Sequence, residues 1–260
     1  MTDSLVLQSR QDGVATLTLN RPQRRNALSP ELLDALIDAL GEVKADPEVK
    51  VVVITGAGEK AFCAGGDLGN QKMSGGVIGL HEGRKRFADL FHALFELGKP
   101  TIARVNGTCL GGGVGLMLGC DLVVASEEAT FGTPEIKVGL FPMMIMALIF
   151  RNVGRKRAME MILTGERMDA AEAYRVGLIN RVAPAAELDE AVAKLAGRVG
   201  SFSPAVLKLG RDAIYRTMDM PMGDALDFLR SQLTVNTMLE DAMVGIRAFL
   251  TKTDPEWKGR

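Results

Sequence analysis

The run Thr101-Ile-Ala-Arg-Val-Asn-Gly-Thr-Cys-Leu-Gly-Gly-Gly-Val-Gly-Leu-Met-Leu118 joins three signals in one stretch. Thr101 to Val105 is β-branched and apolar and reads as a buried strand, three adjacent glycines follow, and the apolar residues beyond them read as a helix. Glycine at such an opening lets backbone N–H groups approach a ligand closely. The first turn of a helix has unsatisfied N–H donors and partial positive charge, so an oxyanion or a phosphate is stabilised where Gly111, Gly112 and Gly113 begin the helix. The competing reading is close helix packing with no ligand. A second stretch, Val49 through Leu68, has the same outline of strand, glycine turn and helix. Its turn, Ala61-Phe-Cys-Ala-Gly-Gly-Asp67, offers a second backbone donor, and two such donors make an oxyanion hole.

Outward from this weak repeat, strands keep alternating with helices. Val14-Ala-Thr-Leu-Thr-Leu19 alternates like a half-buried strand and ends at the turn signal Asn20-Arg-Pro22. Ser29-Pro30 reads as an N-cap and first helical residue, with Leu32, Leu33, Leu36, Ile37 and Leu40 on one face. Val49 to Thr55 and Leu122 to Ala125 are further strands, which implies an α/β layered fold. Arg155 to Thr164, Ala170 to Val176, Leu188 to Val199, Ala205 to Thr217 and Gly223 to Phe249 read as helices, with Asp169 and Ser203 as N-caps. The expected division is a core over residues 1–200 carrying the site and a strand-free helical region over 201–260.

Bulk properties narrow the function. The chain has 260 residues with 31 basic and 32 acidic side chains, a net charge of -1 that favours neither nucleic acid nor a membrane surface. Cys63, Cys109 and Cys120 are too few for a disulfide framework and read as buried thiols of a reducing compartment. The N-terminus lacks a signal-peptide pattern, and the most apolar run, Val138 to Phe150, is too short to span a bilayer, so a cytoplasmic protein is expected.

Gly56-Ala-Gly58-Glu-Lys-Ala61 formally fits a dinucleotide fingerprint, but no helix opens within it, so a tight surface turn is the expected role. With only His81 and His92, both in a charged helical stretch, a metal cluster or a Ser-His-Asp triad is not expected. The basic runs Gly83-Arg-Lys-Arg86 and Gly154-Arg-Lys-Arg157 are short and read as solvated helix faces, not as an RNA-binding surface. The carboxylate of interest is Glu135, in Phe131-Gly-Thr-Pro-Glu-Ile-Lys-Val-Gly139.

Taken in order, Leu19-Asn-Arg-Pro-Gln-Arg-Arg-Asn-Ala-Leu-Ser29, Ala61-Phe-Cys-Ala-Gly-Gly-Asp67, Asn106-Gly-Thr-Cys-Leu-Gly-Gly-Gly113, Gly119-Cys-Asp-Leu122 and Phe131-Gly-Thr-Pro-Glu135 resemble the crotonase superfamily, the enoyl-CoA hydratase/isomerase family. Leu163-Thr-Gly-Glu-Arg-Met-Asp-Ala-Ala-Glu-Ala173 and Gly177-Leu-Ile-Asn-Arg-Val182 extend the likeness nearly end to end. The resemblance implies a crotonase-like spiral of ββα units with a C-terminal helical region used in assembly, as a homotrimer or a dimer of trimers. It implies acyl-CoA thioester substrates, with coenzyme A as part of the substrate and no permanently bound cofactor. The N–H groups of Gly66 and Gly112 would form the oxyanion hole, Glu135 would move the proton, and Arg24, Ala27, Ala64, Asp67 and Leu68 would contact CoA, with Arg25 reaching a phosphate.

Two departures from the family pattern bear on the reaction. Hydratases of the family have a second glutamate two positions after the glycine run, and this chain has Gly115 there. Losing one of two acid/base groups costs about 10² to 10⁴ in rate, so the retained single Glu135 resembles the family's Δ3,Δ2-enoyl-CoA isomerases. Gly115 is expected to leave room for a substrate group. Alternatives are a hydratase with a relocated acid, for which Glu127 and Glu128 are candidates, and a non-catalytic acyl-CoA binder. The second departure is Phe141-Pro-Met-Met-Ile-Met146, where helix burial is the first expectation and an adaptable acyl pocket the other. The glycine-containing segment from Gly69 to Arg86 is a candidate mobile pocket wall.

Overall fold

Every strand of the first repeat finds its counterpart beside it in space. In the computed structural model, which describes residues 4–67, 69 and 76–260, β1 (Val6–Gln11) and β2 (Val14–Leu19) form an antiparallel hairpin. Strands β3 (Val51–Gly56), β5 (Thr101–Val105), β7 (Leu122–Ser126) and β10 (Arg181–Ala183) add to β2 in parallel, giving the sheet order β1-β2-β3-β5-β7-β10. A second sheet holds four three-residue strands in the order β4 (Ala61–Cys63), β6 (Thr108–Leu110), β8 (Thr130–Gly132) and β9 (Arg167–Asp169). The chain alternates between the sheets: β3 then β4, β5 then β6, β7 then β8. Each turn of this spiral lays a strand beside the previous one in both sheets.

The central strands β3, β5 and β7 are buried on both faces, which is why they read as largely apolar runs. Val52 and Ile54 of β3 face a core shared with α1 (Pro30–Ala45) and α2 (Gly76–Phe95), while Val51 and Val53 pack with Leu188, Val192 and Leu195 of α7 (Leu188–Gly200). The α1 prediction holds: the Ser29 hydroxyl accepts from the Leu32 N–H, Pro30 opens the helix, and Leu32, Leu33, Leu36 and Leu40 are buried. Each such leucine contributes roughly 2 kcal/mol of transfer free energy.

Four shorter helices follow the core strands: α3 (Gly112–Leu118), α4 (Met146–Asn152), α5 (Arg155–Thr164) and α6 (Ala170–Arg175). The chain ends in α8 (Pro204–Thr217), α9 (Met222–Met238) and α10 (Glu240–Thr251). The single helix expected over Gly223 to Phe249 is two, broken at Leu239, whose ψ of 139° is extended. The reason is Asp241, fully buried just past the break. Its carboxylate accepts from the Ser203 hydroxyl and from the Lys258 and Gly259 amides, and its own N–H donates to the Arg260 carbonyl, which a continuous helix would prevent. Helix α8 is tied to the core by Asp121, which accepts from the Thr101 N–H and hydroxyl, Arg211 Nε and the Tyr215 hydroxyl.

Candidate active site

The parallel order of β4, β6 and β8 brings three separated sequence motifs together, because each motif begins where one strand ends. Gly66 lies three residues beyond Cys63, Gly112 two beyond Leu110, and Glu135 three beyond Gly132. Adjacent strands stand roughly 4.8 Å apart, so the three motifs share a short edge at the carboxyl ends of the sheet.

The two glycine turns interlock. Gly65 has φ 101°, and a Cβ there would lie 3.0 Å from the Leu110 carbonyl and 3.4 Å from the Gly112 nitrogen. A Cβ on Gly112 would lie 3.4 Å from the Gly66 nitrogen, from Leu28 Cδ1 and from the Phe87 ring. The N–H groups of Gly66 and Gly112 donate to no acceptor among the described residues. Two free amide donors therefore stand side by side, one at the start of a helix.

Glu135 reaches this edge on the 3₁₀ turn Pro134–Val138. Thr133, fully buried, anchors the turn by donating its hydroxyl to the Met161 carbonyl at 3.0 Å. The carboxylate lies over Gly111, where a Cβ would come within 2.7 Å of Glu135 Oε1; with φ 51° as well, that position needs glycine twice over. Oε2 is buried with no hydrogen-bond partner among the described residues. Burial raises the Glu135 pKa above the ordinary carboxylate value, with a hydrogen bond from its own backbone pulling part of the way back. A carboxylate with one buried oxygen left unpaired at that cost of desolvation is suited to taking and returning a proton.

Gly115, one helical turn after Gly111, presents the same face of α3. The space expected beside it is filled: a Cβ there would overlap the Ile145 Cγ2 methyl and lie 3.1 Å from Ile145 Cβ and 3.2 Å from the Phe91 ring. Ile145 is 3% exposed. Gly115 thus leaves no room for a substrate group, because the turn before α4 inserts a β-branched side chain into it. The packing reading of the glycines holds for Gly113, Gly115 and Gly119, which admit Cys63, Ile145 and Leu94, while Gly111 and Gly112 serve the site edge.

The segment 21–29 is stitched to the first glycine turn. Arg25 and Asn26 both take left-handed conformations, φ 50° and 55°, and the Asn26 amide, fully buried, donates to the Ala57 and Ala61 carbonyls and accepts from the Arg21 N–H. Leu28 and Asp67 exchange further backbone bonds with this turn, and the Ala64 N–H donates to the Arg25 carbonyl. Arg21 bridges Asp67 at 2.8 Å and the Ala27 carbonyl at 2.6 Å. Asp67 and the Ala27 carbonyl are therefore occupied in holding the loop, whereas Arg24 and Arg25 are exposed. Leu68 and residues 70–75 of the expected pocket wall lie outside the described residues.

Beyond Glu135 the surface is apolar apart from the exposed Lys137: Ile136, Val138, Leu140 and Phe141 are exposed, and so are Met143 at 64% and Met144 at 40%. The burial first expected for these two methionines fails because they sit in the turn ahead of α4, which starts only at Met146. Glu127, Glu128, His81 and His92 are all exposed, and Gly58 forms a left-handed turn as read. Among the described residues, no group of three His, Cys, Asp or Glu side chains converges as a metal site would.

The enoyl-CoA hydratase/isomerase family pattern matches residues 9–260. The chain belongs to that family. A putative enoyl-CoA hydratase of Thermus thermophilus is 38% identical, covering 97% of this chain and 100% of the relative. A short-chain-enoyl-CoA hydratase of Clostridium acetobutylicum is 36% identical over 95% of each chain. The crystal structure of a Mycobacterium smegmatis enoyl-CoA hydratase superposes with a TM-score of 0.94 at 38% identity, covering 97% of this chain and 98% of that one. The crotonase spiral and an enzyme of the enoyl-CoA hydratase/isomerase family are thereby established. Within this family member, Arg21, Asn26 and Ile145 are site-shaping residues that the sequence reading passed over. Asn26 had a signal, since asparagine tolerates left-handed backbone and lies within the quoted motif; Ile145 had none, because only the spiral brings it to Gly115.

Proposed function

We propose that the chain isomerises 3-enoyl-CoA thioesters to 2-enoyl-CoA thioesters with Glu135 as its single acid/base. The thioester carbonyl accepts from the Gly66 and Gly112 N–H groups, which acidifies C2. Glu135 removes a proton from C2, the amides stabilise the dienolate oxygen, and the protonated carboxyl returns the proton at C4. The exposed Arg24 and Arg25 serve the CoA phosphates, and Ala27, Ala64, Asp67 and Leu68 the rest of CoA, mostly through backbone. The observation that carries isomerisation over hydration is the filled space at Gly115, where a second acid would stand.

A second reading, hydration of a 2-enoyl-CoA, is favoured by the names of the relatives. Steady-state turnover of matched trans-2- and trans-3-enoyl-CoA separates the two. Isomerisation is expected to exceed formation of 3-hydroxyacyl-CoA by at least about 10², the smallest effect of one missing acid/base group; faster hydration favours the second reading. Binding of both thioesters without turnover would support the non-catalytic alternative.

Assembly is the remaining part of the proposal. Leu226, Leu233, Met238, Phe249 and Leu250 on α9 and α10 are exposed apolar side chains, which supports association through this region as a homotrimer or a dimer of trimers. The free, buried thiols of Cys63, Cys109 and Cys120 support a reducing, cytoplasmic setting; burial pushes the Cys63 thiol up to about 12. No helix among the described residues is long and apolar enough to cross a membrane.

A further inference from the structure

Along one face of α3 two residues sit under different neighbours. Gly111 lies under the Glu135 carboxylate, and Gly115, one turn of roughly 5.4 Å further on, lies under the Ile145 side chain. The far side of Gly115 is closed by Phe91, which makes an edge contact at 4.9 Å between centroids with Phe87, the residue beside Gly112. The nearest atoms around the position one turn from the carboxylate are therefore all carbons of the apolar side chains Ile145 and Phe91.

Ile145 is held there rigidly. Its carbonyl accepts from the N–H groups of Leu148 and Ile149 as α4 begins, Pro142 ahead of it is buried, and its β-branched χ1 has little freedom to swing away. A polar group introduced at Gly115 would have to displace this methyl and would meet apolar carbons first.

We infer that Ile145 is a specificity-determining residue for the reaction: it occupies the place of a second acid beside Gly115 and keeps water from the enoyl carbon nearest that place. This rests on the isomerase reading, and deepens it by assigning the exclusion of hydration to one side chain on the turn before α4. Ile145 moves no proton; it acts by volume and by lack of polarity.

The test uses the full-length chain with Ile145→Ala, Ile145→Thr and the double variant Gly115→Glu/Ile145→Ala, each assayed for 3-hydroxyacyl-CoA from a 2-enoyl-CoA and for Glu135-dependent isomerisation of a 3-enoyl-CoA. Ile145→Ala opens the space and Ile145→Thr puts a hydroxyl into it while keeping the branched shape, so each is expected to raise the ratio of hydration to isomerisation by about tenfold or more. The double variant, with a carboxylate in the opened space, is expected to raise that ratio by about 10² to 10⁴. Gly115→Glu alone, forced against Ile145, is expected to raise hydration far less than the double variant. An unchanged ratio in folded Ile145→Ala and Ile145→Thr overturns the inference, and so does Gly115→Glu alone matching the double variant. Failure of the isomerase reading shows elsewhere, as wild-type hydration outrunning wild-type isomerisation before any substitution.

Discussion

Two part-buried carboxylates, Asp121 ahead of β7 and Glu135 after β8, bracket one turn of the spiral and have opposite surroundings. Asp121 accepts from the Thr101 amide and hydroxyl, from Arg211 and from Tyr215, and links the core to α8. Burial and the Asp121 charge push the Tyr215 hydroxyl pKa up, so it remains a donor across the physiological range. Glu135 has a buried oxygen with no partner among the described residues. Four donors turn a carboxylate into a fastener; their absence keeps one free to exchange a proton. The contrast teaches that a candidate acid/base is found less by its residue type than by what the fold withholds from it.

The sharpest way to break that contrast is to replace each carboxylate and see which property falls. Glu135→Gln should lower isomerisation by about 10² to 10⁴. It should not lower the thermal midpoint at neutral pH. A raised folded-state pKa means that protonation stabilises the fold at low pH and that this contribution is lost as pH rises through the folded value, so the neutral amide avoids the cost of a buried charge. Asp121→Ala should do the reverse, costing about 3 kcal/mol of unfolding free energy in a denaturant titration because the Arg211 guanidinium, 7% exposed, loses its partner. If Asp121→Ala abolished turnover in a fully stable protein, or Glu135→Gln unfolded the chain, the assignment of roles would be reversed.

A smaller effect tests the backbone donors at the same sheet edge as Glu135. Gly66→Pro removes one N–H at a position where an added Cβ meets open space, and should lower turnover by about 10² to 10³ while circular dichroism stays unchanged. Full activity in this variant would remove Gly66 from the site. The smallest effect is on pH: the acidic limb of the rate profile should lie above the ordinary carboxylate range, because in the proposed reaction Glu135 accepts the proton in its ionised form. A limb at or below that range would show that burial does not govern the catalytic group.

The same comparison explains what was legible before the fold was known. The strands β2, β3, β5 and β7 and the helix α5 were readable because long β-branched or amphipathic runs carry their own period, and Glu135 and the two glycine pairs because their motifs are local. The second sheet was not readable, since strands of three residues such as β4 and β8 are too short to show alternation. The split of α9 from α10 was missed because Asp241 is explained by partners far from it in sequence, Ser203 and residues 258–260. The room expected at Gly115 failed for the same reason: glycine tells that something comes close, and only the packing of Ile145 tells what.

The measurement that tests the central claim most directly follows a 3-enoyl-CoA labelled with deuterium at C2, incubated with the wild type and with Glu135→Gln, the products being analysed by mass spectrometry and proton NMR. If one carboxyl group takes and returns the proton, a share of the label appears at C4 of the 2-enoyl-CoA product, and the transfer stops in Glu135→Gln. Wild-type isomerisation rates in Glu135→Gln, or accumulation of 3-hydroxyacyl-CoA in place of the shifted alkene, would contradict it.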